Sequence, residues 1–139
     1  MSVAQPTILP DHVLSAVLVL AQKKLAQEDS KKSLVFRNHD FELQEIFNEL
    51  RKSGEYPILD VFVFADSGPE PYSPALNESV SRLQLSGLIG RENPDYASVI
   101  LRPAANRFFD EVVKHELDSS QIEQLTEVAS KFLERAHVI

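Results

Sequence analysis

Apolar residues recur at intervals of three and four along most of the chain, the period of helices with one buried side. From Pro10 to about Gln27 they fall at Val13, Leu14, Val17, Leu18, Ala21 and Leu25, and Leu20 widens the stripe until little of the first half can face water. This predicts a helix central to the core, after a loose start and before a charged connection (KKLAQEDSKKS). A second helix is predicted from about Asp40 to Lys52. It is striped by Leu43, Ile46, Phe47 and Leu50, capped by Asn38 or Asp40 and stopped at Ser53-Gly54. Tyr56 to Asp66 (YPILDVFVFAD) fits a helix beginning at Pro57 and also a strand, so it reads as an extended or short helical segment packed inside. The SGPEP that follows is a loop.

The stretch from Tyr72 to Pro103 is the most explicit. Ser73-Pro74 sets a hydroxyl cap before a proline at the first helical position, where a missing N–H costs nothing. Leu76, Val80 and Leu83 share the inward side. Asn77, Glu78, Ser81, Arg82, Gln84 and Leu85 take the other, and the helix ends at Gly87. Leu88-Ile89 opens a strand, Asn93-Pro94-Asp95-Tyr96 makes a turn, and Ala97 to Leu101 returns as a second strand. Pro103 opens a further helix carrying Ala105, Phe108, Phe109, Val112 and Val113. The C-terminal helix, about 119–136, takes its capping box from Ser120 and Glu123 and is striped by Ile122, Leu125, Ala129, Phe132, Leu133 and Ala136. Its stripe needs cover, from the Val13 to Leu25 helix or from a second copy in a homodimer. The expected fold is mainly α with a small β-hairpin (α+β), one domain over residues 1–139.

At 139 residues with 43% hydrophobic and 25% charged content, the chain can bury one proper core. The absence of cysteine excludes disulfides, thiolate metal sites and cysteine nucleophiles. The N-terminus lacks a basic leader region and the run Val13 to Ala21 is too short to span a bilayer, so the expectation is a cytoplasmic protein with no membrane partner. Charge bears most on function. The net charge is -7, and residues 40–139 hold nine basic groups against eighteen acidic ones. From Tyr72 to Pro103 three arginines (Arg82, Arg91, Arg102) face three carboxylates (Glu78, Glu92, Asp95). Affinity for nucleic acid rises with the phosphates neutralised, so this balance weighs against strong DNA binding.

The order of elements, with Leu76, Val80, Leu83 and Gly87-Leu88-Ile89 leading into a hairpin and then Val99-Ile100-Leu101, resembles the winged helix-turn-helix of prokaryotic regulators. The resemblance covers roughly residues 40–113, with helices added at both ends. The GPEPYSPALNESVSRLQLSGLI arrangement is also similar to uncharacterised prokaryotic families, including Panacea-type antitoxin domains. Such families often enter the helix after the wing through Leu-Thr-x-x-Gly, whereas this chain has Leu101-Arg102-Pro103. The resemblance implies that Ser73 to Gly87 is a recognition helix and Gly90 to Ala97 a wing. Asn77, Ser81, Arg82 and Gln84 would then meet base edges, phosphates or a partner, and Arg91 would reach out from the wing. The same residues also read as a plain solvated face, since Glu78 and Glu92 each accompany one of those arginines.

Chemistry finds little to build on. His12, His39, His115 and His137 are scattered without metal-ligand spacing. Glu111 and His115 lie one turn apart, and Glu42, Glu45 and Glu49 share a helix side, but both patterns fit solvated surface better than a metal or catalytic site. Phosphate-loop, dinucleotide and nucleophile-elbow motifs are absent, and four glycines leave little for a phosphate cradle. The Asn77-Glu78-Ser79 sequon lies on a predicted helix and carries no weight. The expectation is a non-enzymatic regulatory module without metal or cofactor, binding a protein partner. The other reading is a regulator binding duplex DNA as a dimer. A basic stripe joining Arg82 and Arg91 to Lys23, Lys24, Lys31 and Lys32 would favour DNA.

Overall fold

The computed structural model describes residues 8–28, 34–37, 42–65, 72–92 and 98–138, without the side chains of Arg91, Glu92 and His137. The expected Asn93 to Tyr96 turn, the 67–71 loop, the Asn38 or Asp40 cap and Lys31 and Lys32 lie outside the described residues.

Helix α1 (Pro10–Glu28) runs through the centre of the molecule. Every residue from Val13 to Val19 is buried, because α3 (Pro74–Leu85) covers one side and α6 (Ser119–Arg135) another. A helix enclosed on several sides must be apolar nearly all round. Ser15 is the polar member of the run, and its hydroxyl donates back to the His12 carbonyl at 3.1 Å. Around α1 the chain places β1 (Val35–Arg37), α2 (Glu42–Lys52), a 3-10 turn (Pro57–Val61), β2 (Ile89–Glu92), β3 (Ser98–Leu101) and then α4 (Pro103–Phe108). A π turn (Phe109–Val113) leads into α5 (Lys114–Glu116), and β4 (His137–Val138) follows α6. The molecule is thus mainly helical with one small antiparallel sheet, and its buried apolar side chains join in one core.

That sheet has four strands in the order β2-β3-β1-β4, not the two of the expected hairpin. β1 pairs with β3 (Phe36 opposite Val99) and β4 with β1 (Phe36 opposite Val138). Three- and two-residue strands are too short to show an alternation, so the sequence pattern could not mark them. The ambiguous segment resolves as the 3-10 turn, with Ile58 and Leu59 buried; Phe62 follows and meets Phe47 edge-on at 5.4 Å.

The helix after Pro103 has its own device. Ala105, Phe109, Val113 and Leu117 are all buried at intervals of four. In a regular helix each such step advances about 40° too far, and the stripe would drift off the core. The wider π turn absorbs the drift.

The C-terminal helix docks on α1 through Leu125, Val128, Ala129 and Phe132, and the Lys24 ammonium donates to Ser130 Oγ at 2.8 Å. Phe132 also meets Phe36 of β1 edge-on at 5.1 Å, fixing the sheet to the helical layer. The capping box sits two residues before the expected Ser120 and Glu123. Asp118 Oδ1 accepts from Gln121 N at 2.8 Å, and Gln121 Oε1 accepts from Asp118 N at 2.9 Å. Leu117, buried immediately before Asp118, fixes where the chain must turn into the helix, and Ser120 therefore falls inside the first turn.

Candidate partner-binding face

Helix α3 is positioned at both ends and along its inner side. Ser73 Oγ accepts from Leu76 N at 3.3 Å, with Pro74 at the first helical position. At the far end Gly87 takes φ of +78, Leu88 N donates to Leu83 O at 2.9 Å and Gly87 N to Gln84 O at 3.1 Å. This paired bonding closes the helix with a left-handed residue that glycine adopts without strain. Leu76, Val80 and Leu83 are buried as expected, and Ser79 is buried beside them.

A helix-turn-helix joins its two helices by three or four residues, whereas residues 53–73 separate α2 from α3 here. The Gln44 side chain of α2 closes that long connection. Its Oε1 accepts from Ser73 N at 2.7 Å and its Nε2 donates to Ser73 O at 3.1 Å, so one buried amide satisfies both backbone groups of the cap residue.

On the outer side Asn77, Ser81, Arg82 and Gln84 are all exposed, as is Glu78. Arg82 is nevertheless engaged. Its Nε and Nη2 donate to the two oxygens of Asp11, each at 2.8 Å, and Nη1 lies 3.7 Å from Glu78 Oε2. Ser79 Oγ donates to Asp11 Oδ1 at 2.6 Å. Burial pushes the Asp11 carboxyl up, but the bonds from Arg82 and Ser79 outweigh it and hold its pKa below the ordinary value. The Asp11 hydrogen bonds likewise raise Arg82. Asp11 and Ser79 were not among the expected site residues, and only their contact with Arg82 reveals their role. Arg91 stands in β2 opposite Val99. Leu85, at the end of the outer side, is 87% exposed and is the barest large apolar residue described.

Lys23 and Lys24 do not extend this face. Lys23 lies 3.5 Å from Asp110 and over the Phe109 ring, and Lys24 bonds to Ser130. They occupy the far end of α1, about 18 Å along the helix from Asp11.

Other candidates are weaker. Glu111 and His115 are both exposed, and among the described residues no group of three metal-binding side chains gathers. Of the acidic row on α2, Glu49 pairs with Arg135 at 3.2 Å. An open cleft of about 460 Å³ lies between the 3-10 turn and α6. Its polar groups are already committed: Gln121 to the Asp118 cap, Gln124 to Ile58 N at 3.4 Å, and Asp60 to Arg51 at 3.6 Å. A ligand site needs convergent polar groups with capacity left, and these have little.

No family model matches the chain, and no match is found among curated proteins or solved structures. No helix among the described residues is long and apolar enough to cross a membrane.

Proposed function

We propose that this chain is a winged-helix interaction module, regulatory and non-enzymatic, that binds a protein partner through the outer side of α3. The order helix, strand, helix, helix, strand, strand, with β3 between β2 and β1, supports the winged-helix reading, although residues 53–73 with their 3-10 turn replace the short turn of a helix-turn-helix and β4 is an added strand. The observation that carries the choice of partner is the bidentate capture of Arg82 by Asp11. It neutralises the one cation of α3, leaving an outer side of Asn77, Ser81 and Gln84 amides and hydroxyls, the Glu78 carboxylate and bare Leu85. Such a surface suits the mixed polar and apolar contacts of a protein interface better than phosphates.

Two measurements test this. A photo-crosslinking residue placed at Leu85 and expressed in the native host is expected to give a discrete protein adduct. The same residue at Val112, a partly exposed site on the π turn, is expected to give none. In parallel, random duplex DNA is titrated at low and moderate salt with the native chain and with Arg91→Ala, which leaves the Asp11–Arg82 pair intact. Weak or no binding is expected at physiological salt, with any log-log salt slope shallow, near about -0.9 per phosphate contacted. Tight duplex binding weakened by Arg91→Ala, with no protein adduct at Leu85, overturns the protein reading in favour of DNA.

A further inference from the structure

The outer face of the sheet, away from the core, collects unpaired guanidinium groups. Strand alternation turns Phe36, Ile89, Val99 and Leu101 inward, where all are buried, so Val35, Arg37, Gly90, Ser98 and Ile100 belong to the other face. The register sets Gly90, Ile100 and Val35 in one row across three strands, with Ser98 and Arg37 paired nearby. Arg102 prolongs β3 with extended backbone (φ -94, ψ 155), and its N donates to Leu88 O at 2.9 Å. Its parity places it on the same face as Ile100.

Gly90 shows what this arrangement requires. Its φ is not among the positive ones, so turn geometry does not call for glycine there. A Cβ at that position would lie 2.8 Å from both Nε and Cζ of Arg102. The Arg102 side chain therefore lies flat across the Gly90 backbone, in space that any other residue would fill. Glycine inside a strand weakens it and marks a close approach; here the approaching group is the Arg102 guanidinium.

Three other arginines are matched: Arg51 with Asp60, Arg82 with Asp11, Arg135 with Glu49. Arg37 and Arg102 are exposed, and neither guanidinium has a hydrogen bond or ion pair among the described residues. They stand about 13 Å apart along the strand direction, with half-buried Ile100 and Val35 between them.

We propose that this sheet face docks an acidic segment of a partner protein, with Arg102 and Arg37 each taking a carboxylate and Ile100 and Val35 receiving an apolar side chain between them. Guanidinium and carboxylate match in planar, paired hydrogen bonds. A nucleic acid fits less well, since two cations on a chain of net charge -7 neutralise few phosphates. This surface is built from residues other than those of the outer side of α3, and the two are tested by different substitutions.

The experiment uses the full chain and a phage-displayed random dodecapeptide library, with the selected peptides resynthesised and titrated. Peptides carrying Asp or Glu on both sides of an apolar residue are expected to be enriched. Their affinity should fall about tenfold in Arg102→Gln and again in Arg37→Gln, at unchanged melting temperature, while Arg107→Gln on α4 and Leu85→Ser on α3 leave it intact. Gly90→Ala should weaken binding while keeping the charge, because it displaces the guanidinium. Enriched peptides without acidic residues, or affinity indifferent to Arg37 and Arg102, overturn the proposal. So does a random 20-base-pair duplex that competes for the face and loses binding in the same two variants. Peptides that depend on Leu85 instead would support α3 and overturn this face.

Discussion

Asp11 and Arg82 are separated by 71 positions in the chain and joined by two parallel hydrogen bonds of 2.8 Å, which fasten the start of α1 to the last turn of α3. Asp11→Ala removes both, and leaves the buried Ser79 hydroxyl without its 2.6 Å acceptor. A loss of about 1–3 kcal/mol is expected from denaturant unfolding at neutral pH. The pH dependence has a definite sign. The folded pKa of Asp11 is depressed, so its contribution is present above the unfolded value near 3.8 and is lost as pH falls through the folded value. The difference between native protein and Asp11→Asn should shrink below that value; a difference constant down to pH 2 would count against the pair.

Gln44 offers a sharper test of the α2–α3 connection. Gln44→Leu keeps the volume but strands the buried N–H of Ser73, while the Ser73 carbonyl keeps its bond from Asn77 N at 3.1 Å. A destabilisation of about 1–3 kcal/mol is expected, read from the urea midpoint at constant slope. Gln44→Glu should also destabilise, since a carboxylate can accept from Ser73 N but repels its carbonyl.

Phe132 is fully buried against Phe36, and its truncation should cost about 3–5 kcal/mol. Removing residues 119–139 uncovers α1 along its length, so the shortened chain should show no cooperative thermal transition. A sharp transition near the native temperature would mean that α6 is dispensable.

Gly87 stands at φ +78 with no atom near its missing side chain, so only backbone strain opposes a substitution. Gly87→Ala should cost about 1–2 kcal/mol, and Gly87→Asn distinctly less because Asn tolerates this region. Equal losses for both in thermal unfolding would contradict the cap geometry.

Tyr56 is buried, and its phenol is pushed above the ordinary value of 10.0 by that burial and by the Glu127 and Glu55 carboxylates beside it. A raised folded pKa stabilises below the unfolded value and loses that stabilisation as pH rises through the folded one. Ultraviolet titration should therefore show one of the three tyrosines ionising late, and Tyr56→Phe should flatten the alkaline fall in stability above about pH 10.

The helices were legible because their signals are local. Leu76, Val80 and Leu83 share a face through a fixed 3.6-residue period. Ser73-Pro74 and Gly87 act on backbone atoms within one turn, so neither needs the rest of the chain to be recognised. The same locality explains the partial failure at α6, where overlapping Asp118–Gln121 and Ser120–Glu123 frames share one spacing and burial of Leu117 chose between them. Nor could the sequence mark β1 and β4, which exist through the strands that flank them and have no pattern of their own.

The polar side of α3 was visible as a list of residues, and its availability was not. Whether Arg82 is free depends on a carboxylate at the other end of a helix–helix contact, and whether Lys23 and Lys24 reinforce it depends on which end of α1 they occupy. Gly90 and Arg102 are ordinary neighbours of a hairpin until the strand register lays one across the other. Periodicity and caps are written in bond geometry within a few residues. Charge pairing and close packing arise between segments remote in the chain, where the energy belongs to the contact and to neither sequence alone.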